Sequence, residues 1–286
     1  MSKIGTSTKI KQTIKDQDFY IKKKFGQNFL VDQNILRKIV SVPSITKETL
    51  VIEIGPGMGS LTEHLLEGSK HVLAYEIDKE LLPILSENFE GESLTVINDD
   101  FLNRDIDQDI DDLNLEFDKV CVVANLPYYI TTPIILKILE ESIKIKELVL
   151  MMQLEVARRL TSKPSTKDYN SLSIVIQYKT KAEIALKVPR TVFIPAPNVD
   201  SAVVKLVVED NLYDKPDNED HFFKLVRASF TQRRKTLVNN LHFNFHKEKQ
   251  FYINTLEDLG FDYRIRAENL AVEDFILISN TLSKSK

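Results

Sequence analysis

The chain has 286 residues, 43% of them hydrophobic and 28% charged, with a formal net charge of −4. This length suits two domains, and the composition supplies a sizeable core beneath a charged surface. No apolar run approaches the roughly 18 residues of a membrane span. A single cysteine rules out an internal disulfide, and the five scattered histidines give no metal-ligand spacing, so no metal is expected.

Residues 1–24 read as a mobile basic arm, and residues 1–40 hold nine Lys/Arg against three Asp. Residues 1–20 contain lysines, two aspartates, no arginine and no apolar core, which argues against a signal peptide or an organelle presequence. A cytoplasmic location is expected. Ile35, Leu36, Ile39 and Val40 give residues 32–42 amphipathic helical spacing.

A short apolar strand, Val51–Ile54, runs into Gly55-Pro56-Gly57-Met58-Gly59, and helical spacing resumes at Leu61. Three of the chain's eight glycines fall in those five residues, so the turn requires unusual φ values or close ligand approach. Gly-x-Gly-x-Gly differs from the dinucleotide fingerprint and argues against a pyrophosphate. A methionine-linked nucleoside, with an amino-acid end and a ribose but no phosphate, fits better. The next strand, His71–Glu76, ends at Glu76-Ile77-Asp78, about 20 residues on, where an acid can accept both ribose hydroxyls. A third strand, Leu94–Ile97, ends at Asn98-Asp99-Asp100-Phe101. There Asp100 can meet the adenine amine, with Phe101 or Leu102 against the ring. Residues 90–118 carry eleven acids against Arg104, and the stretch from Asp105 to Asp118 reads as a solvated face.

The fourth strand, Val120–Ala124, packs Cys121 in the core and ends in Asn125-Leu126-Pro127-Tyr128. By itself this tetrapeptide reads as a strand-ending turn, but beside the other strand ends it is expected to form a pocket for a planar base with an exocyclic amine. Asn125 accepts from the amine through its side-chain oxygen, the Pro127 carbonyl is free to accept a second bond, and Tyr128 offers a stacking face. Strands and helices alternate through Leu148–Met152, residues 171–178 are read as helix, and Ile184–Val188 with Ala202–Val208 supply an antiparallel edge pair. The polar, proline-broken segment 209–218 marks the domain boundary, and spacing beyond it is helical. The expected fold is α/β: a Rossmann-like, doubly wound, mostly parallel sheet over residues 25–210, with a small all-helical domain over 211–286. Residues 224–250 hold seven Lys/Arg against one Glu, a second basic segment suited to phosphate contacts.

These strings resemble the S-adenosylmethionine-dependent ribosomal RNA adenine dimethyltransferases, most of all the small-subunit group. The resemblance covers nearly the whole chain. It begins at Lys24-Phe25-Gly26-Gln27-Asn28-Phe29-Leu30-Val31-Asp32 and takes in the glycine loop, Glu76, Asp100 and Asn125–Tyr128. It then runs through Phe193-Ile194-Pro195-Ala196-Pro197-Asn198-Val199-Asp200-Ser201-Ala202-Val203 and Phe230–Leu237. It implies a class I methyltransferase fold and S-adenosylmethionine held by Asn28, Leu30, Gly55, Gly57, Glu76, Ile77, Asp100, Phe101 and Asn125. Asn125, Leu126, Pro127 and Tyr128 would act at the base, with Phe193 covering the base's other face.

Lys22, Lys23, Lys24, Arg233, Arg234 and Lys235 are the expected RNA contacts. The expected substrate is two adjacent adenosines near the 3′ end of small-subunit RNA, met by a monomer during 30S maturation. The family's Pro-Gly-Thr-Lys-x-Tyr-Gly-x-Leu-Ser appears here as Pro164-Ser165-Thr166-Lys167-Asp168-Tyr169-Asn170-Ser171-Leu172-Ser173, with both glycines replaced. Asn170 tolerates left-handed backbone, while Ser165 leaves the loop conformation open. Two alternatives stand beside this reading: an RNA-binding assembly factor without catalysis, and a large-subunit dimethyltransferase of the macrolide-resistance type.

Overall fold

The protein is described by a computed structural model that covers residues 4–16, 19–20, 22 and 26–284. Its strands are β1 (Phe29–Leu30), β2 (Thr49–Ile54), β3 (His71–Tyr75), β4 (Leu94–Ile97), β5 (Lys119–Asn125), β6 (Ile145–Gln153), β7 (Thr180–Val188), β8 (Phe193–Ile194) and β9 (Ser201–Val208). Seven of them form one sheet in the order β4-β3-β2-β5-β6-β9-β7. The pairs from β4 to β6 are parallel, and β9 runs antiparallel to β6.

Burial explains the sequence pattern of each strand. β2 is buried at every position, so its residues are apolar apart from Thr49 and Glu53 and do not alternate. At the edge, β7 alternates exposed and shielded residues, the period of two that a half-solvated strand requires. Val51, Val72, Cys121, Val123, Val149 and Val203 share one buried cluster with Leu36 and Ile39 of the helix Gln33–Ser41. Asp32 caps that helix by accepting from the Asn34 and Ile35 amides. The Cys121 thiol is pushed up to about 12 by burial, in keeping with its packing role.

Part of the expected arm is not free. Residues Ser7–Asp16 form a helix, and Ile10 is only 1% exposed. Its side chain packs with Phe19, Phe29, Met58, Leu81 and Ile84. Lysines spaced around a helix gave the basic reading, while the apolar residue between them decided the packing.

The chain divides into two compact units. One holds the chain up to Ala157 together with Glu183–Val208; the other holds Arg158–Ala182 and the residues from Glu209 on. The segment 158–182, expected with the sheet, thus belongs to the helical unit. The reason is its apolar side chains: Tyr169, Ile174 and Tyr178 join Phe222, Leu241 and Phe275 in one cluster. The Tyr169 hydroxyl donates to the Leu270 carbonyl at 2.9 Å, and Tyr178 donates to Glu219 at 2.9 Å. Helices Glu219–Ser229, Leu237–Phe245, Lys249–Asp258 and Val272–Lys284 complete this unit.

The two replaced glycines behave differently. Ser165 takes φ +65°, the left-handed backbone a glycine would adopt, and is held there by its amide on the Glu268 carbonyl at 2.7 Å. Asn170 instead has an extended backbone at φ −159° and caps the helix Ser171–Lys179, accepting from Leu172 at 2.8 Å.

Truncating Ile10 tests whether the N-terminal helix is bound to the core. Ile10→Ala should destabilise the protein by roughly 2–4 kcal/mol, as for other buried aliphatic truncations. Denaturant unfolding measures this, and a free arm would give a value near zero.

Candidate active site

The sheet reverses its winding between β2 and β5: β3 and β4 lie to one side, β6 to the other. Ligands of open α/β sheets bind at such a switch point, beyond the carboxyl ends of the strands. A cleft opens there, lined by the turns after β2, β3, β4 and β5 and by residues 26–30. It gathers Asn28, Leu30, Gly55, Gly57, Glu76, Ile77, Asp100, Phe101 and Asn125–Tyr128 from the expected set.

The glycine loop forms one wall. Gly55 and Gly57 have φ of +71° and +61°, and a Cβ on Gly55 would meet no atom within 4 Å, so the cleft lining is bare there. The Gly57 amide donates to Glu76 Oε2 at 3.1 Å, and the Asp78 amide donates to Oε1 at 2.8 Å. These bonds fix the carboxyl group, which is 4% exposed, while leaving lone pairs for a ligand. Burial raises its pKa to about 7, against the lowering effect of the two amides.

Glu53, a cleft residue the sequence did not single out, is buried more deeply and accepts from Thr62 Oγ1 at 2.6 Å. Burial pushes it up to about 8, with the Glu76 charge adding to the rise. Ser60 Oγ, also buried on the cleft lining, has no hydrogen-bond partner among the described residues.

Beyond β4, Asp100 Oδ1 accepts from the Leu102 amide at 3.0 Å, leaving the second oxygen without a partner among the described residues. Phe101 stands edge-on to Tyr75, with ring centroids 5.0 Å apart. The Tyr75 hydroxyl donates to Asp109 at 3.0 Å, Arg104 binds both oxygens of Asp109, and its other end reaches Asp99 at 3.6 Å. The acidic stretch is therefore not simply a solvated face. Asp109 is buried and supports the wall behind Tyr75 and Phe101, a role hidden from sequence because the acids Asp105, Asp111 and Asp112 around it are indeed exposed.

At the end of β5, Asn125 Nδ2 donates to the Asn28 carbonyl at 3.2 Å. One N–H of the amide is thereby used, and Oδ1, which has no partner among the described residues, remains able to accept. The Pro127 carbonyl, expected to be free, accepts from the Ile130 amide and from Thr131 Oγ1, both at 3.2 Å. The chain turns into the helix Thr131–Glu141 immediately afterwards, and that first turn takes up the carbonyl. The Leu126 carbonyl accepts no hydrogen bond among the described residues and becomes the candidate second acceptor. Tyr128 lines the cleft with its hydroxyl 2.8 Å from Ser201 Oγ, and Tyr129, missed from sequence, stands 59% exposed at the rim.

Phe193 does not line the cleft. It pairs with Leu30 across the antiparallel β1–β8 ladder and packs into the sheet's core at 3% exposure. The two-residue ladder fixes which way the ring faces. Lys22 is engaged too: its ammonium lies 2.6 Å from Asp78 and 2.9 Å from Glu80. Lys23 and Lys24 lie outside the described residues. Arg233, Arg234 and Lys235 occupy an exposed turn of the helical unit. Arg233 is held there by Glu268 and the Lys167 carbonyl.

The profile of a protein family described as ribosomal RNA adenine dimethylase matches residues 18–284. The chain belongs to that family. The dimethylase is 48% identical to the ribosomal RNA small subunit methyltransferase A of Bacillus pumilus (strain SAFR-032), across 99% of this chain and 98% of that one. Identity is also 48%, with the same coverage, to the protein of that name from Bacillus mycoides (strain KBAB4). Among solved structures, a dimethyladenosine transferase from Plasmodium falciparum superposes with TM-score 0.72 and 28% identity, over 86% of this chain and 94% of that one. The 23S rRNA methyltransferase ErmE gives 0.68 and 25%, over 89% and 99%.

The dimethylase is thus an S-adenosylmethionine-dependent ribosomal RNA adenine dimethyltransferase with a class I methyltransferase fold. The cleft fits that cofactor through the open backbone at Gly55, the fixed Glu76 carboxyl and the Ser60 hydroxyl, unpartnered among the described residues. No helix among the described residues is long and apolar enough to cross a membrane.

Burial of Glu76 has a measurable pH signature. Its folded pKa of about 7 lies above the ordinary 4.5, so its contribution to stability is full below about 4.5 and is lost as pH rises through 7. Across that window the unfolding free energy of Glu76→Gln should rise relative to wild type, then run parallel above it. Denaturant unfolding from pH 4 to 8.5 measures the difference.

Proposed function

We propose that this dimethyltransferase acts on small-subunit ribosomal RNA, placing two methyl groups on N6 of each of two adjacent adenosines near the 3′ end. It would work as a monomer in the cytoplasm, during 30S assembly. The observation that carries the assignment of roles is the Asn125 amide, which lines the cleft and is tied by its donor end to the Asn28 carbonyl, with Oδ1 left to accept. Two relatives bearing the small-subunit name, at 48% identity, support the choice of RNA.

In this reading Glu76 accepts the ribose hydroxyls, Asp100 the adenine amine, and Phe101 and Ile77 flank the cofactor's ring. Asn28 and Leu30, which line the cleft with the glycine loop, would help hold the rest of the cofactor. S-adenosylmethionine supplies an electrophilic methyl group, so the protein's task is to orient the nucleophile and exclude water. The adenine N6 lone pair is delocalised into the ring. Hydrogen bonds from the amine to Asn125 Oδ1 and the Leu126 carbonyl draw the nitrogen towards a pyramidal shape and free that pair. The target base leaves its stack to reach these acceptors, and Tyr128 stacks on it. No strong base is required, because the amine becomes acidic once alkylated.

Incubating unmethylated 30S and 50S particles, side by side, with labelled cofactor tests the substrate. N6,N6-dimethyladenosine recovered from small-subunit RNA is the expected product, and label in large-subunit RNA alone would refute the assignment. Asn125→Ala should lower turnover by about 10²-fold or more, the scale of a lost positioning contact, with cofactor affinity within a few-fold of wild type. Turnover near wild type would remove Asn125 from the base site.

Arg234 and Lys235 are the readier phosphate contacts, since Arg233 is engaged within its own unit. Replacing both with Ala should flatten the salt dependence of particle binding by roughly 0.7–0.9 in log–log slope per lost contact, without altering cofactor affinity. An unchanged slope would leave the turn with no part in RNA binding.

A further inference from the structure

Asp78 follows the ribose acceptor by two residues, and its two halves do different work. Its backbone amide donates to Glu76 Oε1 at 2.8 Å, so it helps aim that carboxyl group. Its side chain is buried and points towards the N-terminal motif. Oδ1 receives the Lys22 ammonium at 2.6 Å, and Oδ2 receives the Gln27 amide nitrogen at 2.9 Å. Gln27 closes the triangle by accepting from the Lys22 backbone amide at 2.8 Å. One residue further on is Asn28, whose carbonyl holds Asn125 Nδ2. A continuous run of bonds and short chain segments therefore joins Glu76, through Asp78 and Gln27, to the amide that faces the base.

We infer that Asp78, Lys22 and Gln27 form a clasp that holds the N-terminal motif against the end of β3, positioning Glu76 for the cofactor and Asn125 for the base together. The inference rests on the assignment of Glu76 to the ribose made above. It also reassigns Lys22 from RNA phosphate to this clasp. The geometry favours that role, since a lysine held by a buried carboxylate and by Glu80 has its charge satisfied within the protein. Breaking the clasp leaves the sheet intact but frees the Asn28 carbonyl to drift, so both cofactor affinity and turnover should respond. A residue that merely stabilised the fold would shift the melting temperature and leave both unchanged.

The test uses the full-length protein with Lys22→Met, Lys22→Arg, Asp78→Asn and the Lys22→Met/Asp78→Asn pair. Calorimetry with S-adenosylhomocysteine gives affinity, and steady-state methylation of 30S particles gives kcat and KM. Lys22→Met and Asp78→Asn should each weaken cofactor binding about tenfold, the scale of one charge-assisted bond, and lower kcat as well. The double variant should be little worse than the more affected single one, because both act on the same clasp. Lys22→Arg should restore most of the affinity.

Wild-type affinity and kcat in Lys22→Met, with only the salt slope of particle binding reduced, would overturn the clasp and return Lys22 to the RNA. Additive effects in the double variant would also overturn it. If Asp78→Asn does not fold, Gln27→Leu takes its place in the cycle, with the same expectations. Glu76→Ala, measured in parallel, separates the two levels. An unchanged affinity in that variant alone would reject the ribose assignment, whereas an unchanged affinity in Lys22→Met alone would reject the clasp.

Discussion

Asn125 ends a strand at the place where the sheet reverses its order, and its side-chain amide is bound at one end only. An amide has a donor end and an acceptor end, so the bond from Nδ2 to the Asn28 carbonyl anchors the donor end and leaves Oδ1 able to accept. Much of the site's design follows from keeping that carbonyl in place. The short β1–β8 ladder pins Phe29 and Leu30 beside it, and the bonds converging on Asp78 pin Gln27 on its other side. Phe193 serves here as an anchor of the ladder, which is a different use of an aromatic residue from stacking on a base.

Four of the acids in or behind the cleft show how differently such groups are handled. Glu76 is shielded but receives two backbone amides, which limit the cost of ionising it. Glu53 has a single hydroxyl donor and greater burial, so it retains its proton more strongly. For Asp78, burial would raise the pKa, but Lys22, Gln27 and the Glu80 amide outweigh it and hold the carboxyl group below the ordinary value. Asp109 receives the Arg104 guanidinium and the Tyr75 hydroxyl. Burial thus prevails at Glu53 and Glu76, whereas at Asp78 the donors prevail over it.

The helical unit shows the same economy of partners. Ser165 keeps the left-handed backbone of the glycine it replaces, at a cost of the order of 1 kcal/mol for a residue with a Cβ, and recovers bonds to Glu268 and Asn269. Asn170 finds a different use, as the cap of the helix that carries Ile174 and Tyr178 into the core. Glu268 binds Arg233 by its side chain and Ser165 by its carbonyl, so the basic turn is tied to the serine-bearing loop within one unit.

The sequence by itself determined the sheet, the glycine loop, and the strand ends at Glu76, Asp100 and Asn125 that the fold gathers into one cleft. It could do so because strand periodicity, glycine placement and strand-end chemistry are local properties, each readable within a dozen residues. Tertiary structure alone decided what depends on distant partners. Ile10 turned part of a basic arm into packed structure because apolar residues from three other segments surround it. The Pro127 carbonyl was taken by the helix that begins just after it, Phe193 was turned into the core by its pairing with Leu30, and segment 158–182 joined the helical unit. Hydrogen-bond satisfaction and burial are properties of the whole fold, and no window along the chain contains both partners of a contact such as Asn28 with Asn125, 97 residues apart.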